Sequence, residues 1–240
     1  MRRTRIETPV GGWFAPWPLV FELVDAAQNR IVLIGGLMTQ LHAMIADIGD
    51  VRTTEDVDLL VNIMDVGSTA GVWHGNLLSA GFVLAAPSVR YAPSHRYRRG
   101  TSIVDLVVPE GTVPAPRLGR RLVMQVDGGR QALGKLMEVE FNVDGRRLIL
   151  QTPDELGALI LKAAAHKADP RDKPRHLRDA ALLASLIDDP IAERDRLVGS
   201  DHNRLRYIAE KLADPFDEAW QLLPSSRQQS GQDALRIMAG

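Results

Sequence analysis

Apolar residues recur with two different spacings in the first part of the chain, up to position 151. Apolar residues three or four positions apart predict helices that bury one face, whereas short apolar runs bounded by glycine or polar turns predict strands. The predicted helices are Pro18–Gln28, Leu37–Ala46 and Thr69–Ala80, and the predicted strands are Ile31–Ile34, Val57–Val61, Phe82–Leu84, His95–Arg98, Ser102–Val108, Leu136–Val143 and Arg146–Leu150.

The last two of these strands are separated only by Asp144-Gly145. This dipeptide is a strong signal for a two-residue β-hairpin turn, because both positions favour a positive φ. Hairpin strands mixed with helices indicate an α+β fold rather than a regular βαβ repeat.

The pattern changes at Thr152-Pro153-Asp154-Glu155, which has the form of a capping box with proline at the first helical position. Only helices are predicted beyond it, and the polar tail 225–240 is expected either to fray or to form one short helix. We therefore predict an α/β domain at 1–151 and a helical domain at 152–240. The predicted helices of the second domain are Pro153–Lys167, Pro174–Ile187, Asp201–Ala213 and Phe216–Leu222.

The composition places the chain among ordinary globular proteins, with 45% hydrophobic and 25% charged residues. The absence of cysteine excludes disulfides, thiolate catalysis and cysteine-ligated metal sites. No apolar run approaches the roughly 20 residues that a membrane span needs, and the arginine-rich start lacks the apolar segment of a signal peptide. We therefore expect a cytoplasmic protein.

The net charge is −1, yet the basic residues are clustered. The stretch 87–100 holds four arginines and no acidic residue, and the stretch 162–178 holds six Lys or Arg against two Asp. Such stretches are either solvated faces or surfaces for a polyanion. Tyr91 and Tyr97 lie among the arginines of the first stretch and are either base-stacking residues or packing residues of a strand.

Two aspartates stand at the start of an apolar strand, in Asp56-Val57-Asp58. Side chains two positions apart on a strand point to the same face, so both carboxylates converge on one point. Two like charges in one place are unfavourable unless a cation lies between them. Mg²⁺, which prefers oxygen ligands and accompanies nucleotide phosphates, meets that need.

Two further features give this pair a context. Gly35-Gly36 follows a short apolar strand and opens a helix, where glycine lets a backbone approach a phosphate. Asp105 interrupts the apolar strand Ser102–Val108, where an unpaired acid is unfavourable. It either pairs with an arginine, such as one from the Arg96–Arg99 strand, or points at a metal, and we favour the metal.

Strand, Gly-Gly, helix, then Arg52-x-Thr54-x-Asp56-x-Asp58 and a later strand with Asp105 resemble the DNA polymerase β-type nucleotidyltransferase superfamily. The form Arg-x-Thr-x-Asp-x-Asp is most similar to the AbiEii toxin branch, which includes the MenT toxins. That branch usually has serine at the place of Thr54. The resemblance implies a polymerase β-like mixed sheet with flanking helices, followed by a C-terminal helical bundle.

The resemblance extends over roughly residues 30–187 and includes two helical motifs. In that branch a helix with a functional lysine precedes a helix with an Arg/Lys-Asp pair, and Lys162 and Arg178-Asp179 occupy those places. Prolines between the two motifs interrupt the chain, so Lys167 is the alternative lysine.

By resemblance, the chain transfers a nucleoside monophosphate from an NTP to an acceptor hydroxyl and releases pyrophosphate. The resemblance implies Mg²⁺ or Mn²⁺ as cofactor. It implies metal ligation by Asp56, Asp58 and Asp105, further catalytic roles for Lys162 and Asp179, and nucleotide contacts by Gly35, Gly36, Arg52, Thr54 and Arg178.

The acceptor implied by the resemblance is a tRNA 3′ end or another RNA, and the implied partner is a cognate antitoxin protein. Small molecules and protein hydroxyls are alternative acceptors. Two other functions stay open: a non-catalytic RNA- or protein-binding member of the same fold, and a glycosyltransferase that uses Asp-x-Asp. The six histidines do not have the spacing of a zinc hydrolase, and the chain has no P-loop motif.

Overall fold

A computed structural model describes the chain except for residues 10, 27–30, 50–53, 66, 88, 90, 91 and 171. Arg52 and Tyr91, both named above, lie outside the described residues. The strands are β1 (Arg3–Ile6), β2 (Leu33–Ile34), β3 (Asp56–Leu60), β4 (Val83–Leu84), β5 (Arg96–Arg99), β6 (Ser102–Pro109), β7 (Arg117–Leu118), β8 (Arg121–Leu122), β9 (Gln125–Val126), β10 (Leu136–Val143) and β11 (Arg146–Pro153).

The helices mix with these strands up to β11 and form all further regular structure in the described residues beyond it. They are α1 (Trp17–Ala26), α2 (Gly35–Ile45), α3 (Ala70–Ser79), α4 (Gly129–Leu133), α5 (Glu155–Ala168), α6 (Lys173–Ala184), α7 (Pro190–Asp195), α8 (Asp201–Lys211), α9 (Glu218–Gln221) and α10 (Ser225–Ala239). The fold class is therefore α+β, as predicted. No helix in the described part of the chain is long and apolar enough to cross a membrane.

The main sheet has the order β2-β3-β6-β5-β4, and β9 adds to β6. Strand β3 runs parallel to β6, whereas β5 runs antiparallel to it. Strand β6 is central, so its residues from Val104 onwards are buried, which explains its near-continuous apolar sequence.

A second sheet pairs β1 with β10 and β10 with β11. The predicted hairpin is present, and its turn residues Asp144 and Gly145 have φ values of 50° and 75°. Strand β1 was not predicted. It pairs parallel to β10, and its alternating arginines carry no apolar pattern that would have identified a strand.

Two clusters of buried apolar residues form the core, and α2 contributes to both. Leu37 and Leu41 pack with α1, α3 and the strands. Met38 and Ala43 pack with α5, α6, α8 and α10. Helix α2 is therefore held on two sides, which fixes the position of its N-terminus.

The predicted capping box at Thr152 is wrong, because Thr152 belongs to β11 and its hydroxyl donates to the carbonyl oxygen of Leu33. The N-cap of α5 is Asp154, whose carboxylate accepts from the backbone N–H of Gly157. Two residue types that favour N-caps stand two positions apart here, and the strand register selects the second.

The C-terminal tail forms the 15-residue helix α10 rather than fraying. Its buried residues, Gly231, Ala234, Leu235 and Met238, are spaced three and four positions apart. Gly231 packs so tightly that a Cβ there would lie 2.7 Å from the Trp220 ring. The buried stripe is narrow and begins with two small residues, Gly231 and Ala234, so the polar neighbours conceal it in the sequence.

Candidate functional site

Three carboxylates meet on one face of the main sheet. Asp58 on β3 and Asp105 on β6 are direct register partners on neighbouring parallel strands. Asp56 precedes Asp58 by two positions and so shares its face. Between and beside them, Val57 and Val104 point to the opposite, fully buried face. The alternation of β3 and the register of β3 with β6 thus bring all three acids together.

Arg96 binds two of these carboxylates. It stands opposite Asp105 in the register of β5 with β6. Its Nε donates to Asp105 Oδ1 at 2.9 Å and its Nη2 to Asp105 Oδ2 at 2.7 Å, while Nη2 also donates to Asp56 Oδ2 at 3.0 Å. Asp105 thus pairs with an arginine of β5, which is one of the two partners considered for it from the sequence. The hydrogen bond to Asp105 raises the pKa of Arg96 further above its ordinary value, so its charge is permanent.

Asp58 is the carboxylate without such a partner among the described residues, and its pKa is raised to about 7. Burial is the largest cause, and the negative charges of Asp105 and Asp56 add to it. The positive charges of Lys162 and Arg175 act in the opposite direction. Its side chain keeps some exposure to solvent, yet protein surrounds it closely. The ionised form of Asp58 is therefore the one in this site that a bound cation would stabilise most.

The carboxylate of Asp58 lies against Gly35 at the N-terminus of α2. Gly35 has a φ of +74°, and a Cβ on it would fall 1.8 Å from Asp58 Oδ2. The preceding N-cap residue, Ile34, has no side-chain acceptor for the first-turn N–H groups. The helix N-terminus favours a negative charge at this place, and only glycine leaves room for the Asp58 side chain.

Gly35→Ala is therefore expected to displace Asp58 and to lower the free energy of unfolding by about 1–3 kcal/mol, because alanine there combines a steric clash with an unfavourable φ. Urea unfolding measures this change. Gly75→Ala is the matched control, since no atom lies within 4 Å of its added Cβ, and a gain of about 0.5–1 kcal/mol is expected in its helix. Equal effects of the two substitutions would contradict the close approach of Asp58 to Gly35.

A buried ion pair faces the carboxylates from the helical part of the chain. Lys162 of α5 donates through Nζ to Asp179 Oδ2 of α6 at 2.6 Å, and both side chains are at most 7% exposed. Lys162 is close enough to lower the pKa of Asp58. The alternative lysine, Lys167, is exposed and lies over the ring of Tyr207, at 5.8 Å from its centroid. The structure thus brings Lys162 to the carboxylates.

Other residues named from the sequence lie elsewhere. The guanidinium of Arg178 pairs with Glu218 at the surface, whereas the next residue, Asp179, pairs with Lys162. Tyr97 is fully buried, and its hydroxyl bonds His74 Nδ1 at 2.8 Å, so it packs in the core and offers no surface for a base. Gly36 is buried in the first turn of α2. Thr54 is half-buried, two residues before β3.

His176 is a residue of this region that the sequence did not single out. It is 5% exposed, and neither ring nitrogen has a hydrogen-bond partner in the described part of the chain. Burial, with the charges of Lys162 and Arg175, lowers its pKa to about 4. The imidazole is therefore neutral at pH 7. Its sequence signal was only its place in the second basic stretch, where surface exposure is the usual expectation.

Two cavities lie away from the carboxylates. One of about 540 Å³ is lined by residues of α8 and α10 and by Trp220 of α9. The other, of about 750 Å³, lies beside α1 and the β10–β11 turn and is lined by Trp13 and Phe21 among others. The carboxylates line neither of these cavities.

No protein-family model matches the chain, and no curated protein matches it either. Among solved structures, the chain is similar to the crystal structure of an antigenic nucleotidyltransferase-like protein from Paracoccidioides brasiliensis. The two share 18% sequence identity over 88% of this chain and 89% of that chain, with a TM-score of 0.49. The likeness concerns the course of the chain and assigns no activity.

Proposed function

We propose that the protein is a metal-dependent nucleotidyltransferase, which transfers a nucleoside monophosphate from an NTP to an acceptor hydroxyl and releases pyrophosphate. One observation carries the proposal: Asp58 and Asp105 are register partners beside Asp56, and the Asp58 carboxylate lies against Gly35 at the N-terminus of α2. Acids clustered next to a helix N-terminus suit a cation together with an anionic substrate.

The side chains of the site fit Mg²⁺ or Mn²⁺ in their chemistry. Asp58 has no hydrogen bond to a described residue, and its Oδ2 occupies a space that a Cβ on Gly35 would fill. Within the described residues, no three His, Asp or Glu side chains are already gathered as a ligand set. Arg96 holds Asp105 and one oxygen of Asp56. Asp56 and Asp58 would hold the cation, which supplies neutralisation of the triphosphate charge when bound.

The remaining groups serve positioning and charge balance, which is most of what phosphoryl transfer needs from a protein. In this proposal, the first-turn N–H groups at Gly35 and Gly36 would bind a phosphate, since a helix N-terminus favours an anion. Lys162, held by Asp179, places a positive charge opposite the carboxylates. Arg178 has no part in this proposal, since it pairs with Glu218.

Further details of the proposal rest on the sequence resemblance. They are the nucleotide contacts of Arg52 and Thr54, the AbiEii toxin role and a cognate antitoxin. One observation supports a tRNA 3′ end as acceptor: Lys167 of α5 and Lys211 of α8 both lie within 6 Å of the ring of Tyr207, which is on α8. Positive charge beside an aromatic ring suits a nucleic-acid strand.

One observation favours a second function, that of a non-catalytic binding protein with the same fold. The guanidinium of Arg96 already neutralises part of the carboxylate charge. It therefore does what a second cation would otherwise do. A protein that had lost catalysis would be stabilised by such an internal counter-ion. The two functions differ in whether the site binds a divalent cation and transfers nucleotide.

The deciding experiment incubates the purified protein with each of the four α-labelled NTPs, Mg²⁺ or Mn²⁺, and total tRNA. We expect label on RNA with at least one NTP, and no label with Asp58→Asn. Asp144→Asn is the matched control: it makes the same chemical change at an exposed hairpin turn and is expected to label as the wild type does.

Label on protein instead of RNA would keep the reaction and replace the acceptor. Absence of label under every condition, with no NTP raising the melting temperature, would favour the non-catalytic function. Release of sugar from a nucleotide sugar would replace the proposal with a glycosyltransferase.

A further inference from the structure

Arg96 forms hydrogen bonds to both carboxylate oxygens of Asp105 but to only one of Asp56. Both carboxylate oxygens of Asp105 accept from its guanidinium, through Nε and Nη2. Asp56 accepts from Arg96 through Oδ2 alone, and no described residue donates to its Oδ1. The planar end of an arginine suits two carboxylates better than a lysine ammonium would. The oxygens left for a cation are therefore those of Asp58 and one of Asp56.

The charges of the site point to the same division. With Asp58 ionised, as a metal ligand must be, the three carboxylates carry three negative charges, of which Arg96 balances one. The other cationic side chains that act on Asp58 have acidic partners of their own: Lys162 pairs with Asp179 and Arg175 with Asp172 at 3.5 Å. Two negative charges are left, which one divalent cation neutralises and two would exceed.

The burial of Asp105 adds a third reason. Asp105 is 7% exposed and lies on the central strand β6. Separating it from Arg96 would leave a buried carboxylate and a partly buried guanidinium without their hydrogen bonds to each other. Breaking such a pair is strongly unfavourable. Arg96 is thus a lasting part of the site rather than a surface side chain that adopts one of many positions.

On the basis of the proposed function, we infer that Arg96 takes the place of one cation, so that the site binds a single divalent cation per chain, between Asp56 and Asp58. Arg96 is then a positioning residue: it fixes Asp56 and compensates Asp105 without contacting the cation. Three acids do not make a two-cation centre here, because a guanidinium already lies between two of them.

The test is a titration of the metal-free, full-length protein with Mn²⁺, followed by the electron paramagnetic resonance signal of the unbound ion. One bound ion is expected for the wild type and two for Arg96→Gln, which frees Asp105 and removes the competing charge. Arg96→Lys keeps the charge, so one ion is expected. Arg98→Gln is the control for net charge, since Arg98 lies on the same strand, is exposed and makes no ion pair with a described residue, and one ion is expected.

A double variant, Arg96→Gln/Asp105→Asn, protects the test against misfolding of Arg96→Gln, because it removes both members of the ion pair and leaves no unpaired charge. It is expected to bind one ion, since neither residue is a ligand. Loss of binding in the double variant would show that Asp105 is a ligand and would overturn the inference.

Two bound ions in the wild type, or one in folded Arg96→Gln, would also overturn it. The proposed function fails separately from this inference. Two ions together with labelled product would leave the nucleotidyltransferase standing, whereas no bound ion in any variant and no labelled product would remove both.

Discussion

Asp58→Asn is expected to lower nucleotidyl transfer by about 10²–10³-fold and, at the same time, to make the metal-free protein more stable above pH 7. The first effect follows because the substitution removes the charged ligand and its stabilisation of the transferred group, an electrostatic contribution of this order in other enzymes. Transfer of labelled nucleotide by the variant and the wild type measures it.

The second effect follows from the pKa of Asp58, which is raised to about 7 from an ordinary 3.8. Between these two values the folded state keeps a proton that the unfolded state has lost. The stability of the wild type therefore falls as the pH rises through this window, and the loss is complete above about pH 7. Asparagine does not titrate, so its advantage should grow to the order of 2–4 kcal/mol.

Urea unfolding of both metal-free proteins at pH 5 and pH 8 checks this result. The difference in free energy of unfolding should be larger at pH 8. Added Mg²⁺ should stabilise the wild type and leave Asp58→Asn unchanged. An equal pH dependence of the two proteins would mean that Asp58 does not carry an unfavourable charge in the folded state.

Lys162→Met is expected to destabilise the protein by about 3–5 kcal/mol, because it leaves Asp179 buried and without its partner. Both side chains of this pair are almost completely enclosed between α5 and α6. Urea unfolding measures the change. The neighbouring Arg178→Met removes a solvent-exposed pair with Glu218 and should change stability by less than about 1 kcal/mol.

The double variant Lys162→Met/Asp179→Leu separates stability from chemistry. Replacing both members of a buried ion pair with apolar residues is often neutral for stability, so most of the lost free energy should return. Nucleotidyl transfer should not return, because the positive charge opposite Asp58 is still missing. Recovery of both together would assign Lys162 a purely structural role.

The parts of the fold with a regular pattern could be predicted from the sequence. Local sequence signals predicted three features that are present in the structure: strand β3, the acid within β6 and the β10–β11 hairpin. Strand β1, which was not predicted, depends on a partner distant in sequence, because it pairs with β10. Helix α10 is one of the two outcomes predicted for the tail, but its close packing of Gly231 against Trp220 could not be predicted from the sequence.

The same division holds for the site. The common face of Asp56 and Asp58 follows from the period of a strand, and the sequence resemblance drew attention to Lys162. Arg96, one of four arginines in its stretch, could not be distinguished from the others, because its partner is fixed by the register of β5 against β6. The burial of His176 likewise depends on how α5 and α6 pack.

Helix α2 belongs to both clusters of the core, so the chain cannot be divided at position 151 without exposing one side of this helix. A gene fragment that ended near position 151 would encode the carboxylates but would leave Met38 and Ala43 without the helices that cover them. It would also lack Lys162. Recombination at that boundary would remove the helices that pack against one side of α2, whose first residue is Gly35. The segments before and after position 151 are therefore expected to be inherited, exchanged or lost together.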